Sequence, residues 1–296
     1  MSNLARRTVE TVTKMPPALV KRNRKPPRWW SDAGLGVFIH WGLYSVPAFA
    51  PTKDFADVVA SEESNPEAET PYAEWYGNSV RFPGSSAGRY HREHYGDAPY
   101  ADFRAPFEAG LDSWDPSAWA AAFADAGAGY VVMVTKHHDG YCLWPSEVPN
   151  PHVPGFHSER DLVGEMAAAV RAEGMRFGVY YSGGYDWTFN DIPVGALVDS
   201  ARAVPFGDYP AYAEAHVTEL IDRYGPSVLW NDICWPAPNA AIFALLEHYF
   251  AVVPDGCVND RWVPAIDLTK VLDVPGLAWF VEGRLRNTVA KTGLVP

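Results

Sequence analysis

Cysteine is scarce. Cys142, Cys234 and Cys257 are odd in number and show no C-x-x-C spacing in a chain of 296 residues. Neither a disulfide framework nor a zinc knuckle is expected; free thiols in a reducing compartment are. No apolar stretch is long enough for a transmembrane helix, so no membrane partner is expected. The opening 28 residues carry Arg6, Arg7, Lys14, Lys21, Arg22, Arg24 and Lys25 without the apolar segment of a secretory signal. Residues 1–28 therefore read as a basic N-terminal arm and residues 29–296 as one domain, with a cytoplasmic location expected. Positive charge is in deficit too. A net charge of −12 argues against nucleic-acid binding, which needs a basic face. No G-x-G-x-x-G or G-x-x-x-x-G-K-[ST] follows a strand pattern, and no H-E-x-x-H occurs. Neither a nucleotide fold nor a metal-dependent hydrolase has positive support, and no cofactor and no metal are expected.

What is present is aromatic. Twelve Trp and 15 Tyr fit a globular domain with an amphipathic cleft, and such clefts suit sugars, whose C–H faces pack on rings while their hydroxyls need directional partners. The most informative stretch is Ala126 to Trp144, AGAGYVVMVTKHHDGYCLW. Gly129 to Val134 has the near-continuous apolar pattern of a parallel strand buried on both faces. It stops at Thr135, Lys136, His137, His138 and Asp139, which gathers polar chemistry at one strand's C-terminal end, where active sites of parallel α/β folds are built.

Other strands repeat the design. Leu35 to Ile39 delivers His40 and Trp41; Met175 to Tyr181, Ser227 to Asp232 and Gly256 to Asp260 each follow a helical pattern. Those helices span Asp115 to Gly127, with Asp115 as N-cap and Pro116 at the first position, then Asp161 to Glu173, Pro210 to Tyr224, and Pro238 to Phe250. Helix alternates with strand four times, the signature of a parallel sheet with right-handed crossovers. Residues 50–110 read as a long excursion with short helices, and such excursions are usually functional. Along Ser227 to Asp232, Trp230 and Asp232 share one side of the strand while Leu229 and Asn231 share the other.

The ordered set KHHDGYCLW, FIHWGLYSVPA (Phe38 to Ala48), EWY (Glu74 to Tyr76) and LWND (Leu229 to Asp232) resembles the retaining α-L-fucosidases, glycoside hydrolase family 29, from about Gly34 to about Trp262. The resemblance implies a (β/α) barrel of the TIM type and hydrolysis of terminal α-L-fucosides with retention, transfer to acceptor sugars included. It implies Asp232 as catalytic nucleophile. For substrate binding it implies His40, Glu74, Trp75, His137, His138, Tyr180, Trp230 and Arg261. In that chemistry a carboxylate attacks the anomeric carbon while a second carboxyl, about 5 Å away, protonates the leaving oxygen. Asn259 and Asp260 end the next strand in the same manner as Asn231 and Asp232, so position alone does not single out the nucleophile.

After Trp262 the chain departs from the family. About five or six strands and no C-terminal β-sandwich are expected, an incomplete barrel whose open edges invite a homo-oligomer. Leu277 to Val281 reads as one more strand. The general acid is left open among Glu282 (placed first because it would follow that strand), Asp267, Asp273, Glu74 upstream in the pocket set, and, on an equal footing, a carboxyl of a neighbouring subunit. The alternative to an enzyme is a fucose-binding protein that has lost catalysis, and a metal-dependent hydrolase on His40, His137 and His138 is the third reading.

Overall fold

The computed structural model describes residues 25–54, 57–58 and 66–265. Five parallel strands, β1 (Gly36–Ile39), β2 (Tyr130–Lys136), β3 (Arg176–Tyr181), β4 (Val228–Asn231) and β5 (Cys257–Val258), lie side by side in chain order. The helices that precede β2 to β5 are α2 (Pro116–Asp125), α3 (Leu162–Ala172), α4 (Tyr209–Tyr224) and α5 (Asn239–Val252); α1 (Ser86–Tyr95) belongs to the excursion after β1. Five strands are short of the eight that close a TIM barrel. Among the described residues the fold is thus a partial (β/α) barrel, open beyond β1 and β5, with no β-sandwich.

Local chemistry sets the helix boundaries. Asp115 caps α2 by accepting from Ser117 N and Ala118 N at 2.9 and 3.2 Å, with Pro116 at the first position. Asp161 caps α3 by accepting from Gly164 N at 2.9 Å. α4 ends on Gly225 in the left-handed region, φ 49°.

Period-two alternation divides the sheet into two faces. On one, Val131, Met133, Phe177, Val179, Tyr181 and Leu229 join the helices' Leu162, Met166, Val170, Leu220 and Tyr249 in the main core. On the other, Val132, Val134, Tyr180 and Val228 form a smaller cluster with Trp29, Trp30, Tyr130 and Trp230. This second face is the barrel interior. Tyr181 packs under the helices as its position opposite Tyr180 predicts.

Two departures from strict alternation matter for the site. Val134 pairs with Tyr180 but Lys136 pairs with Tyr181, so Thr135 is an extra residue, a β-bulge. The bulge sends Lys136 to the helix side, where its Nζ lies 4.7 Å from the Tyr181 ring, and turns His137 into the mouth of the barrel. The last strand is two residues long where Gly256 to Asp260 was expected. The reason is Asn259: its side-chain amide accepts from Asn231 N at 3.0 Å and donates to Asn231 O at 2.7 Å, replacing the next backbone rung.

The excursion after β1 contains only short helices among its described residues. No helix among the described residues is long and apolar enough to cross a membrane. The expected strand at 277–281, with Asp267, Asp273 and Glu282, lies outside the described residues, as does most of the basic arm.

Candidate active site

The mouth of the partial barrel brings together all nine residues singled out by sequence. His40 follows β1, His137 and His138 follow β2, Tyr180 and Trp230 are the penultimate residues of β3 and β4, Asp232 follows β4, and Arg261 lies beyond β5. The excursion contributes Glu74 and Trp75 from a single 3-10 turn.

Asp232 sits at the centre. Its Oδ2 accepts from the Tyr180 hydroxyl at 2.6 Å, and its Oδ1 accepts from Ile233 N at 2.8 Å and lies 3.5 Å from Arg261 Nη1. Burial, then the Asp232 charge, pushes the Tyr180 phenol far above its ordinary pKa, so it remains a donor. The backbone that presents this carboxylate is strained. Ile233 has φ 65°, a left-handed conformation that β-branched residues rarely adopt, and Cys234 N donates back to Asp232 O at 2.9 Å across it. Non-glycine residues hold such conformations where the surroundings over-determine them, and functional sites are where they cluster.

His138 Nδ1 lies 2.6 Å from Ser182 Oγ, whose own hydrogen goes to Tyr185 O at 2.8 Å. Ser182 is therefore the acceptor, Nδ1 carries the proton, and Nε2 presents a lone pair. That Nε2 is buried, has no partner among the described residues, and stands 4.0 Å from Asp232 Oδ2. Burial pulls the His138 pKa down to about 3 against the pull of Asp232. The contact is thus between a neutral imidazole and a carboxylate, two acceptors facing one gap. A hydroxyl donor entering that gap satisfies either.

The other rings shape the walls. His40 and His137 have centroids 5.7 Å apart, and His137 lies parallel to Tyr180 at 5.6 Å. Trp75 meets His138 edge-on at 5.2 Å. His40 Nε2 is 3.8 Å from Glu74 Oε1. His137 is buried, its pKa lowered chiefly for that reason, and its Nδ1 has no partner among the described residues.

Several residues were not singled out by sequence. Phe38 stacks on His40 at 5.0 Å and meets Trp230 edge-on at 5.2 Å, forming an apolar floor. Its place two residues before His40 on the same strand face was the available signal. Tyr44 packs on His137 at 5.5 Å with its hydroxyl buried and unpartnered among the described residues. Beneath the site, Lys136 Nζ pairs with Asp186 Oδ2 at 2.9 Å, both side chains fully buried. Gly183 admits no side chain, because a Cβ there would lie 2.2 Å from Asn231 Oδ1.

A family model described as Alpha-L-fucosidase matches residues 5–271. The chain belongs to the α-L-fucosidase family. Tissue alpha-L-fucosidase of Rattus norvegicus is 33% identical over 247 residues, covering 81% of this chain and 48% of that protein. The crystal structure of Thermotoga maritima alpha-fucosidase in complex with fucose is similar at TM-score 0.71 and 42% identity, over 81% of this chain and 55% of that one. The same enzyme in complex with a mechanism based inhibitor gives TM-score 0.71 and 42% identity, over 83% and 56%. This α-L-fucosidase-family chain spans about half the length of the curated relatives it matches.

Proposed function

We propose that the protein is a retaining α-L-fucosidase in which Asp232 is the nucleophile. The observation that carries the reading is the Asp232 carboxylate, fixed at a strand's C-terminal end by Tyr180 and the Ile233 N–H while facing the lone pair of His138. Support also comes from the solved relatives in complex with fucose and with a mechanism based inhibitor.

In this mechanism the Asp232 carboxylate attacks the anomeric carbon of a bound fucoside as the bond to the leaving oxygen breaks, forming a glycosyl ester. Water then cleaves the ester, and two inversions give net retention; an acceptor sugar in place of water gives transfer. The neutral imidazoles of His137 and His138 and the Glu74 carboxylate bind hydroxyls, each of which is both donor and acceptor. Trp75 and the Phe38–Trp230 floor take the apolar face of the ring. Arg261 balances charge as Asp232 passes from carboxylate to ester and back. The acid that protonates the leaving group is not assigned among the described residues. Substrates with activated aryl leaving groups need least proton assistance and are the appropriate probe.

The test is hydrolysis of an aryl α-L-fucoside by wild type and Asp232→Gly, with the first-formed anomer read by NMR. Release of α-L-fucose by the wild type, loss in the folded variant, and partial rescue by azide to give β-L-fucosyl azide are expected. A folded wild type that binds L-fucose without turnover would replace the enzyme reading with the binding-protein one.

A further inference from the structure

We propose that His40, Glu74 and His137 form a site for a divalent transition-metal ion of the zinc class, and that the bound ion shuts the sugar pocket. One ligand atom from each of the three residues falls within 4.8 Å of the others. The His40 Nε2 to Glu74 Oε1 separation is 3.8 Å, whereas neighbouring ligands of a tetrahedral zinc ion, at bond lengths of about 2.0–2.2 Å, lie ~3.3 Å apart. About half an ångström of closure brings that pair to the spacing of zinc ligands, and the His137 ligand atom lies within 4.8 Å of both. Two imidazoles with one carboxylate are a donor set that suits zinc rather than magnesium or calcium, and three protein ligands leave one position open.

Part of this donor capacity is unused among the described residues. His137 is 3% exposed and its Nδ1 has no hydrogen-bond partner among the described residues, a costly state for a buried imidazole. The His40 and Glu74 side chains are 34% and 20% exposed, which leaves an entry path from solvent. The chain's charge of −12 draws cations towards it.

A second triad, His137, His138 and Asp232, also lies within 4.8 Å. It is the poorer site. Asp232 Oδ2 is already taken by Tyr180 at 2.6 Å, Oδ1 faces Ile233 N and the Arg261 cation, and the His138 side chain is 1% exposed. A dication there would have to displace a donor and sit beside a guanidinium.

Binding of the ion stands by itself; its effect on turnover rests on the proposed fucosidase activity. The experiment is calorimetric titration of the tag-free protein with zinc chloride. It compares wild type, His40→Asn, Glu74→Gln and Asp232→Asn with His248→Asn, a surface pair partner of Asp222 at 2.7 Å, and repeats the wild type in excess L-fucose. One micromolar-range site is expected in the wild type. It should weaken at least about tenfold in His40→Asn and Glu74→Gln, far less in Asp232→Asn, and not in His248→Asn. L-Fucose should displace it. Zinc affinity indifferent to His40→Asn and Glu74→Gln, affinity lost in Asp232→Asn instead, or no saturable binding would each overturn the assignment. A protein that binds zinc as described but hydrolyses no fucoside overturns the proposed function and leaves the metal site standing.

Discussion

The Tyr180 hydroxyl donates to Asp232 Oδ2 at 2.6 Å, across the join between two neighbouring strands. Because Tyr180 and Trp230 are register partners, the phenol projecting from β3 and the carboxylate that follows β4 reach the same height above the sheet. The bond fixes which face of the carboxylate meets a substrate. Tyr180→Phe should lower kcat/KM for an aryl α-L-fucoside by about 10–100-fold, the equivalent of a hydrogen bond to a charged group worth about 1.5–3 kcal/mol. Steady-state kinetics on a variant with unaltered circular dichroism reads the effect, and an unchanged rate would remove the bond from the mechanism.

Stability should depend on pH in two opposing ways. His138 and His216 have pKa values drawn down to about 3 by burial, from an ordinary 6.5. Folded, these rings stay neutral over that interval, while the unfolded chain protonates them. Unfolding therefore takes up protons, and stability falls as pH drops from about 6.5 towards 3. Asp139 runs the other way: burial raises its pKa from 3.8 to about 6, over the opposition of hydrogen bonds from Tyr100 and Tyr141. Its contribution is full below 3.8 and lost as pH rises through about 6. With imidazoles outnumbering the carboxyl, the thermal midpoint should climb from pH 4 to 6. Asp139→Asn should steepen that climb, as calorimetry at stepped pH would record.

Seven of the nine positions at the mouth lie in or just after the ends of strands that period-two patterning names, and strand ends in a parallel sheet converge on one side; Glu74 and Trp75, on a 3-10 turn of the excursion, were legible only through the resemblance to the family. The helix ends were legible where a side chain caps them, as Asp115 and Asp161 do. What escaped the sequence depends on contacts between strands. Nothing in VTKHH announces that Thr135 is an extra residue, since a bulge is defined only by its pairing with β3. Asn259 repeats the appearance of Asn231, yet its amide replaces a backbone rung and so ends β5. The partner of Lys136, Asp186, lies fifty residues on and is found only once both loops are folded.

That buried pair yields a stability prediction. Lys136 and Asp186 are both fully enclosed, and the ammonium also donates to Tyr185 O at 3.2 Å. Lys136→Met leaves the Asp186 carboxylate buried without its cation, a loss of about 3–5 kcal/mol. Adding Asp186→Asn removes the stranded charge, so the double variant should recover part of the loss. Urea unfolding of both singles and the double supplies the cycle. A double variant less stable than Lys136→Met would mean that Asp186 matters through Thr188, which donates to its Oδ1 from both backbone and hydroxyl.

Ile233 offers an inversion of the usual ranking of alanine and glycine. Its φ of 65° costs an L residue about 1–2 kcal/mol that glycine does not incur. Both Ile233→Ala and Ile233→Gly lose the contacts of the side chain with the cluster around Tyr185 and Val194, but only glycine releases the strain. Ile233→Gly should therefore be the more stable of the two by about 1 kcal/mol, opposite to their order at ordinary backbone positions. Activity should rank them in reverse. The Ile233 N–H that holds Asp232 Oδ1 at 2.8 Å is fixed by this turn, and a glycine there lets the turn relax, so Ile233→Gly should have the lower kcat on an aryl fucoside. If the alanine variant is both more stable and more active, the left-handed turn is not what holds the carboxylate in place.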